Sequence, residues 1–221
     1  MVNRAQAPDP KGCNGRCSCE DLLTPLCVDL DGTILKGDSL WFSLCALVRQ
    51  DPIAFVFLPF WLVKGKAWVK HQVARRVTLD PALLPYNEEM IEFLRESQKR
   101  GRYLALTTGA NGIVAKQIAE HLGLFNEVLS SDPLLNLTGS RKLKALQDRF
   151  GNHQFDYAAN AEIDLIVWRY AREAIVVSDS VRLRTQVANL IPVHAAFGGD
   201  ESKMSRCLDE IRLRLYKFTL R

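Results

Sequence analysis

Two aspartates one residue apart close a short apolar run in LCVDLDGTIL, residues 26–35. Strands rarely end this way, because like charges repel at that spacing and neither acid is easily buried. At positions i and i+2 of an extended chain end, Asp29 and Asp31 face the same side while Leu30 turns away. One carboxylate can then attack phosphorus as a nucleophile while the other carries a proton to and from the leaving group. Gly32 permits a tight turn that lets a phosphoryl group approach the backbone, and the Thr33 hydroxyl can brace it. Negative charge crowded between phosphate and carboxylate calls for a cation, and Mg²⁺ is the usual hard cation for oxygen ligands.

A pair of acids so placed needs a scaffold that fixes strand ends. The runs PLCVDL (25–30), RYLALT (102–107), FDYAAN (155–160) and AIVVS (174–178) are short and apolar, as suits strands buried on both faces. Between and beside them, 88–101, 112–123, 140–151 and 161–172 have helical spacing, and Gly101, Gly123 and Gly151 stand at the ends of three of these. Such alternation predicts βαβ units and an α/β fold with a Rossmann-like parallel sheet. Sheets of this kind bind ligands outside the carboxyl ends of their strands. Asp29, Asp31, Thr107, Thr108, Asn160 and Ser178 all fall at such ends.

Residues 36–86 break the rhythm. DSLWFSLCALVRQ, DPIAFVFLPFWLVKG and KAWVKHQVARRVTLD read as three helices inserted after the first strand, a helical cap on a core formed by 22–35 and 87–200. The run from Pro52 to Val63 holds Pro59 and is too short to span a bilayer. Two readings stand for it. It packs on the body and its neighbouring helices, or it forms a membrane-surface patch from Phe55, Phe57, Phe60, Trp61 and Trp68 beside Lys64, Lys66, Lys70, Arg75 and Arg76.

Outside this body, residues 1–21 are polar, rich in Pro and Gly, and expected to be disordered, without the apolar run of a secretory signal. Cys13, Cys17 and Cys19 lie there with no further Cys/His cluster to complete a metal site, so the tail reads as reduced and incidental. Cys27, Cys45 and Cys207 sit in apolar contexts and read as small core residues of a cytoplasmic protein. Residues 201–221 have the pattern of a basic amphipathic helix. A net charge of +4 over 221 residues is too mild for a protein that lives on phosphate contacts to nucleic acid. His71, His121, His153 and His194 show no pairing that suggests catalysis.

VDLDGTIL resembles the first motif, DxDGT, of the haloacid dehalogenase superfamily of phosphatases, and the likeness runs through residues 25–200. LALTTG resembles the second motif, whose phosphate-binding hydroxyl falls on Thr108, with Thr107 the alternative. NLTGSRKLKAL resembles the third, with Lys142 as its phosphate-binding lysine, and YAANAEIDLIVW resembles the fourth, matching its second acid at Asp164. The resemblance implies that Asp29 forms an aspartyl-phosphate, that Asp31 is the general acid/base, and that Mg²⁺ is held among Asp29, Asp31 (through its backbone carbonyl), Asn160 and Asp164. The succession DLDGT, LPYNEE, HLGLF, NLTG, FDYAAN is closer still to the hydrolase-like domain fused ahead of UbiA-type prenyltransferases. That likeness implies a phosphorylated small molecule or lipid-linked phosphate as substrate. It also implies a membrane surface or such a prenyltransferase as partner, at the inner face of the membrane.

One departure bears on activity. Where the fourth motif usually opens with an acid, this chain has Asn160, which keeps an oxygen donor and lacks a charge. A unit charge at about 4 Å is worth at most about 4 kcal/mol at an effective dielectric of 20. The expected outcome is either a phosphatase with weak Mg²⁺ binding or a module that keeps phosphate binding without turnover. Glu162 is the alternative source of the missing carboxylate.

Overall fold

The computed structural model describes residues 24–198. The predicted tails, with Cys13, Cys17, Cys19, Cys207 and the helix expected over 201–221, lie outside the described residues. Six strands form one sheet: β1 (Leu26–Val28), β2 (Leu104–Asn111), β3 (Glu127–Ser131), β4 (Asp156–Ala159), β5 (Ala174–Val177) and β6 (Val193–Phe197). Their order is β3-β2-β1-β4-β5-β6 and every pairing is parallel. The chain therefore runs outward from β1 in one direction, returns, and runs outward again from β4. The crevice at that reversal lies between the carboxyl ends of β1 and β4, where such sheets bind ligands.

Apolar runs reveal the inner strands and miss β3 and β6. EVLSS is mostly half-buried, and VHAAF is half-buried or exposed, as edge strands are when one side meets solvent. Two apolar layers sandwich the sheet. Leu26, Val28, Leu104 and Leu106 face one layer, while Cys27, Ala105, Tyr157 and Ala159 face the other. That split follows from the alternation of side chains along a strand. Cys45, expected in the core, is only half-buried.

On the first face lie α5 (Glu88–Lys99) and α6 (Gly112–Leu122), and on the second α7 (Ser140–Phe150), α8 (Leu165–Trp168) and α9 (Val181–Ala188), these five following the cap helices in the chain. Asn87 caps α5, with Glu88 and Glu89 in its first turn and Lys99 in its last, all favourable to the helix dipole. The helix predicted over 161–172 is mostly absent: a 3₁₀ turn at Glu162–Asp164 leads into the single turn of α8. Tyr170 and Ala171 tighten to i−3 bonds, and Arg172 N–H donates to Phe155 O, which draws the chain back to the sheet.

The cap holds α1 (Ser39–Gln50), α2 (Pro52–Val56), α3 (Leu58–Val63) and α4 (Lys66–Ala74). The expected second helix breaks into α2 and α3, because Pro59 has no N–H to continue the ladder. Lys36 N–H to Pro85 O and Asn87 N–H to Ile34 O, both 2.8 Å, close the base of the insertion. Phe42, Ala46, Leu47, Val69 and Val73 then bury themselves in the same layer as Leu26 and Leu104. At about 1.5–3 kcal/mol for each large side chain, that packing joins cap to core.

Candidate active site

β1 stops at Val28, and Asp29 is the first residue beyond it, tied to β4 by its N–H to Ala158 O at 2.9 Å. The chain then turns at once: Leu30 O accepts from the N–H groups of Thr33, Ile34 and Leu35. Gly32, at φ +75°, makes this turn in a region that side chains avoid. A Cβ there would also sit 2.0 Å from Asn160 Nδ2, so glycine is required for the two loops to touch. The two acids are therefore not presented by strand alternation, as their spacing suggested. Each is aimed by a different helix: Asp31 Oδ1 accepts from Ser39 N–H at the start of α1 at 2.7 Å, and Asp29 Oδ1 lies 3.0 Å from Lys142 Nζ on α7.

Lys142 is nearly fully buried, and its ammonium is held by three oxygens. Beyond Asp29 these are Tyr157 Oη at 2.9 Å and Asp164 Oδ1 at 3.4 Å, and Tyr157 in turn donates to Asp164 at 2.8 Å. Burial pulls the ammonium toward its neutral form, but Asp29 and Asp164 outweigh this and raise its pKa, so it stays charged. Burial pushes the Asp29 carboxyl up, with Lys142 pulling down and Asp164 pushing further up. Burial likewise raises Asp31 to about 6, against the Ser39 N–H that holds it down.

Thr108 is fully buried within β2, three residues before the strand ends; its Oγ1 accepts from Ala110 N–H at 3.0 Å, which leaves its own O–H for another acceptor. Thr107 points to the other side, beside the buried Cys27 thiol. Asn160 follows β4, with Thr33 Oγ1 3.4 Å from its Oδ1. Glu162 does not take its place. It is exposed and faces Arg182 at 3.8 Å. Ser178 is one strand further out and accepts from Ser180 N–H.

Asp164 is engaged with Tyr157 and Lys142. Among the described residues no three or more Asp, Glu, His or Cys side chains gather as a metal nest. Asp29 and Asn160, which follow β1 and β4, offer a carboxylate and an amide oxygen, donors that suit a hard divalent cation in type.

Three contributors were not visible in the sequence. Tyr157 reads as one more apolar strand residue, although a buried tyrosine needs a partner for its hydroxyl. Ser39 acts through its backbone. Lys70, which one of the two readings of the cap placed in a basic outer patch, turns inward from α4 and donates to Gly109 O at 2.6 Å. Burial lowers its pKa, opposed by the carboxylates of Asp31, Asp38 and Asp29.

Known structures with this fold are distant in sequence. Apo phosphoserine phosphatase superposes with a TM-score of 0.51 at 13% identity, over 83% of this chain and 98% of its own. The fold is the one phosphoserine phosphatase has. A phosphoserine phosphohydrolase-like protein from Francisella tularensis gives 0.52 at 14% identity, over 83% of this chain and 99% of its own. A Bordetella pertussis protein of unknown function gives 0.55 at 16%, over 77% and 98%. In sequence, the uncharacterized protein y4nM of Sinorhizobium fredii is 35% identical over 170 residues, 76% of this chain. The chain spans only 33% of that relative's length. No family model matches the sequence. Among the described residues no helix is long and apolar enough to cross a membrane.

Proposed function

We propose that the chain is a phosphohydrolase of the haloacid dehalogenase type, working through an aspartyl-phosphate on Asp29. The observation that carries this reading is the buried Lys142 ammonium 3.0 Å from Asp29, in the crevice where the sheet reverses and two residues from an acid raised to about 6. Asp29 attacks phosphorus, the bond to the ester oxygen breaks, and Asp31 delivers its proton to that oxygen. Asp31 then takes a proton from the water that attacks the acyl phosphate, the bond from Asp29 to phosphorus breaks, and phosphate leaves. Lys142 and the Thr108 hydroxyl hold the phosphoryl oxygens, while Tyr157 and Asp164 hold Lys142 in place. Mg²⁺, held by Asp29, the Asp31 carbonyl and Asn160, would supply charge neutralisation between phosphate and carboxylate.

Release of phosphate from p-nitrophenyl phosphate in Mg²⁺ tests the reading. Asp29→Asn should abolish release while leaving the fold intact, because an amide cannot take the nucleophile's role. Turnover retained in that variant would sink the mechanism.

The substrate class the resemblance implies is a phosphorylated metabolite or a lipid-linked phosphate. The cap supports a second role, docking on a membrane or on a UbiA-type prenyltransferase. Val63 is 88%, Ile53 74% and Phe60 70% exposed on its outer side, an apolar surface with no cover among the described residues.

A further inference from the structure

β2 and β3 pair in register from Ala105 to Thr108 and then slip: Thr108 stands opposite Ser130, but the next pair is Asn111 with Ser131. Gly109 and Ala110 therefore bulge out of the ladder, immediately after Thr108. A buried carbonyl released from a ladder needs another donor. Gly109 O, buried here, has two: the Ser131 hydroxyl at 2.9 Å and, from the cap, the Lys70 ammonium at 2.6 Å. The ammonium reaches on to Asn136 Oδ1 at 3.4 Å. Ser131 Oγ also accepts from Leu137 N–H at 2.8 Å, and Asn136 Nδ2 donates to Thr138 Oγ1 at 3.2 Å. Position 109 has to be glycine for this closure, since a Cβ there would sit 2.6 Å from Thr138 Cγ2.

Three segments thus meet at one lysine. The first is the end of β2, which carries Thr108 one residue before Gly109. The second runs from Ser131 to Thr138 and leads through Gly139 into α7, whose first turn carries Lys142. The third is α4 of the cap, and its next residue adds a contact, His71 Nδ1 at 3.5 Å from Asn111 Nδ2. Ser39, whose N–H holds Asp31, lines the same small hollow as Lys70, Ala110 and Asn111. A hydrogen bond from an ammonium is about twice as strong as one between neutral groups, so Lys70 outweighs Ser131 in fixing the Gly109 carbonyl.

We propose that Lys70 is a positioning residue for phosphate binding. From the cap it sets the two segments that bring Thr108 and Lys142 to the phosphoryl group. Its effect on phosphate rests on the phosphohydrolase reading; the tie between the three segments does not.

Two measurements on the full chain test this. Amide hydrogen exchange without ligand reads the tie. Lys70→Met keeps the stem and removes the donors, so it should speed exchange at Leu137 N–H and Thr138 N–H about tenfold or more, with Leu26 N–H of β1 unchanged. Calorimetric titration with inorganic phosphate in Mg²⁺ reads the site, and the same variant should bind about tenfold more weakly or worse. Lys66→Met removes an equal charge from an exposed position one turn back along α4, and should change phosphate affinity by less than about twofold. Unchanged exchange in Lys70→Met overturns the proposal. So does a phosphate affinity within about twofold of the parent's, or an equal loss from Lys66→Met, which would make the effect one of net charge. If the parent binds no phosphate while Lys70→Met still loosens Leu137 and Thr138, the phosphohydrolase reading falls and the tie stands. Phosphate binding that Lys70→Met leaves intact is the reverse.

Discussion

At the scale of single residues, the acids of the crevice are costly to keep. Asp31, raised to about 6 by burial, binds its proton more tightly in the folded chain than in the unfolded one. Its share of stability is full below the ordinary carboxyl range and is lost as pH rises through about 6. Asp31→Asn keeps the acceptor for Ser39 N–H and removes the charge. The variant should therefore be more stable than the parent at pH 7, by about 1–3 kcal/mol in urea denaturation, with no gain at pH 4. The same change should slow hydrolysis by roughly 10²–10⁴. A gain independent of pH would remove burial of charge as its cause. Asn160 poses the complementary question. Asn160→Asp adds a hard anionic ligand beside Asp29, so Mg²⁺ titration should show binding at least roughly tenfold tighter, about 1.4 kcal/mol, with faster turnover. Glu162→Gln should leave the titration unchanged, since that side chain faces Arg182 and solvent. If Asn160→Asp does not alter metal binding, the strand end is not a metal site and the enzyme reading goes with it.

At the scale of elements, the opposite end of the sheet carries a different charge cluster. Asp156 opens β4 fully buried, pairs with the Arg102 guanidinium, accepts from Arg172 Nε at 2.9 Å and Nη2 at 2.7 Å, and accepts from Glu173 N–H at 3.0 Å. Asp156→Ala leaves the buried Arg102 cation without its carboxylate, and chemical denaturation should record a loss of about 3–5 kcal/mol. Folded protein should keep its activity, because the cluster lies at the amino ends of strands whose carboxyl ends hold the crevice. A loss under about 1 kcal/mol would mean that water reaches the cluster. What the sequence made legible follows the same physics. β1, β2, β4 and β5 are buried on both faces and must be apolar throughout, so their runs stand out. β3 and β6 are edges that tolerate Glu127 and His194, so their pattern is diluted. The acids at 29 and 31 were legible as chemistry, but not how they are aimed, because Lys142 and Ser39 reach them from distant segments. Lys70 shows the same limit: a lysine on an amphipathic helix looks solvated until the partner face is known.

At the scale of the whole molecule, the cap has two sides with opposite character. Its inner side is packed into the core layer through Phe42, Leu47, Val69 and Val73. Its outer side presents Ile53, Val56, Phe57, Phe60, Leu62 and Val63 to solvent. Basic residues border that apolar face unevenly. Arg76 is drawn back to Gln72 and stacks over the half-buried Trp61, while Lys64, Lys66 and Arg75 stay exposed at the rim. Apolar side chains ringed by lysine and arginine suit the boundary of an anionic bilayer, where each basic residue near the surface adds about 1 kcal/mol. The chain should therefore co-sediment with vesicles containing phosphatidylserine at low salt, and release as ionic strength shortens the reach of the charges. Phe60→Ser with Val63→Ser should abolish sedimentation without lowering the melting temperature, since neither side chain is part of the core. A single charge reversal such as Lys64→Glu should weaken binding and leave it less sensitive to salt. Vesicles that fail to bring down the parent protein at low salt would exclude the lipid surface and leave a protein partner as the cover for this face.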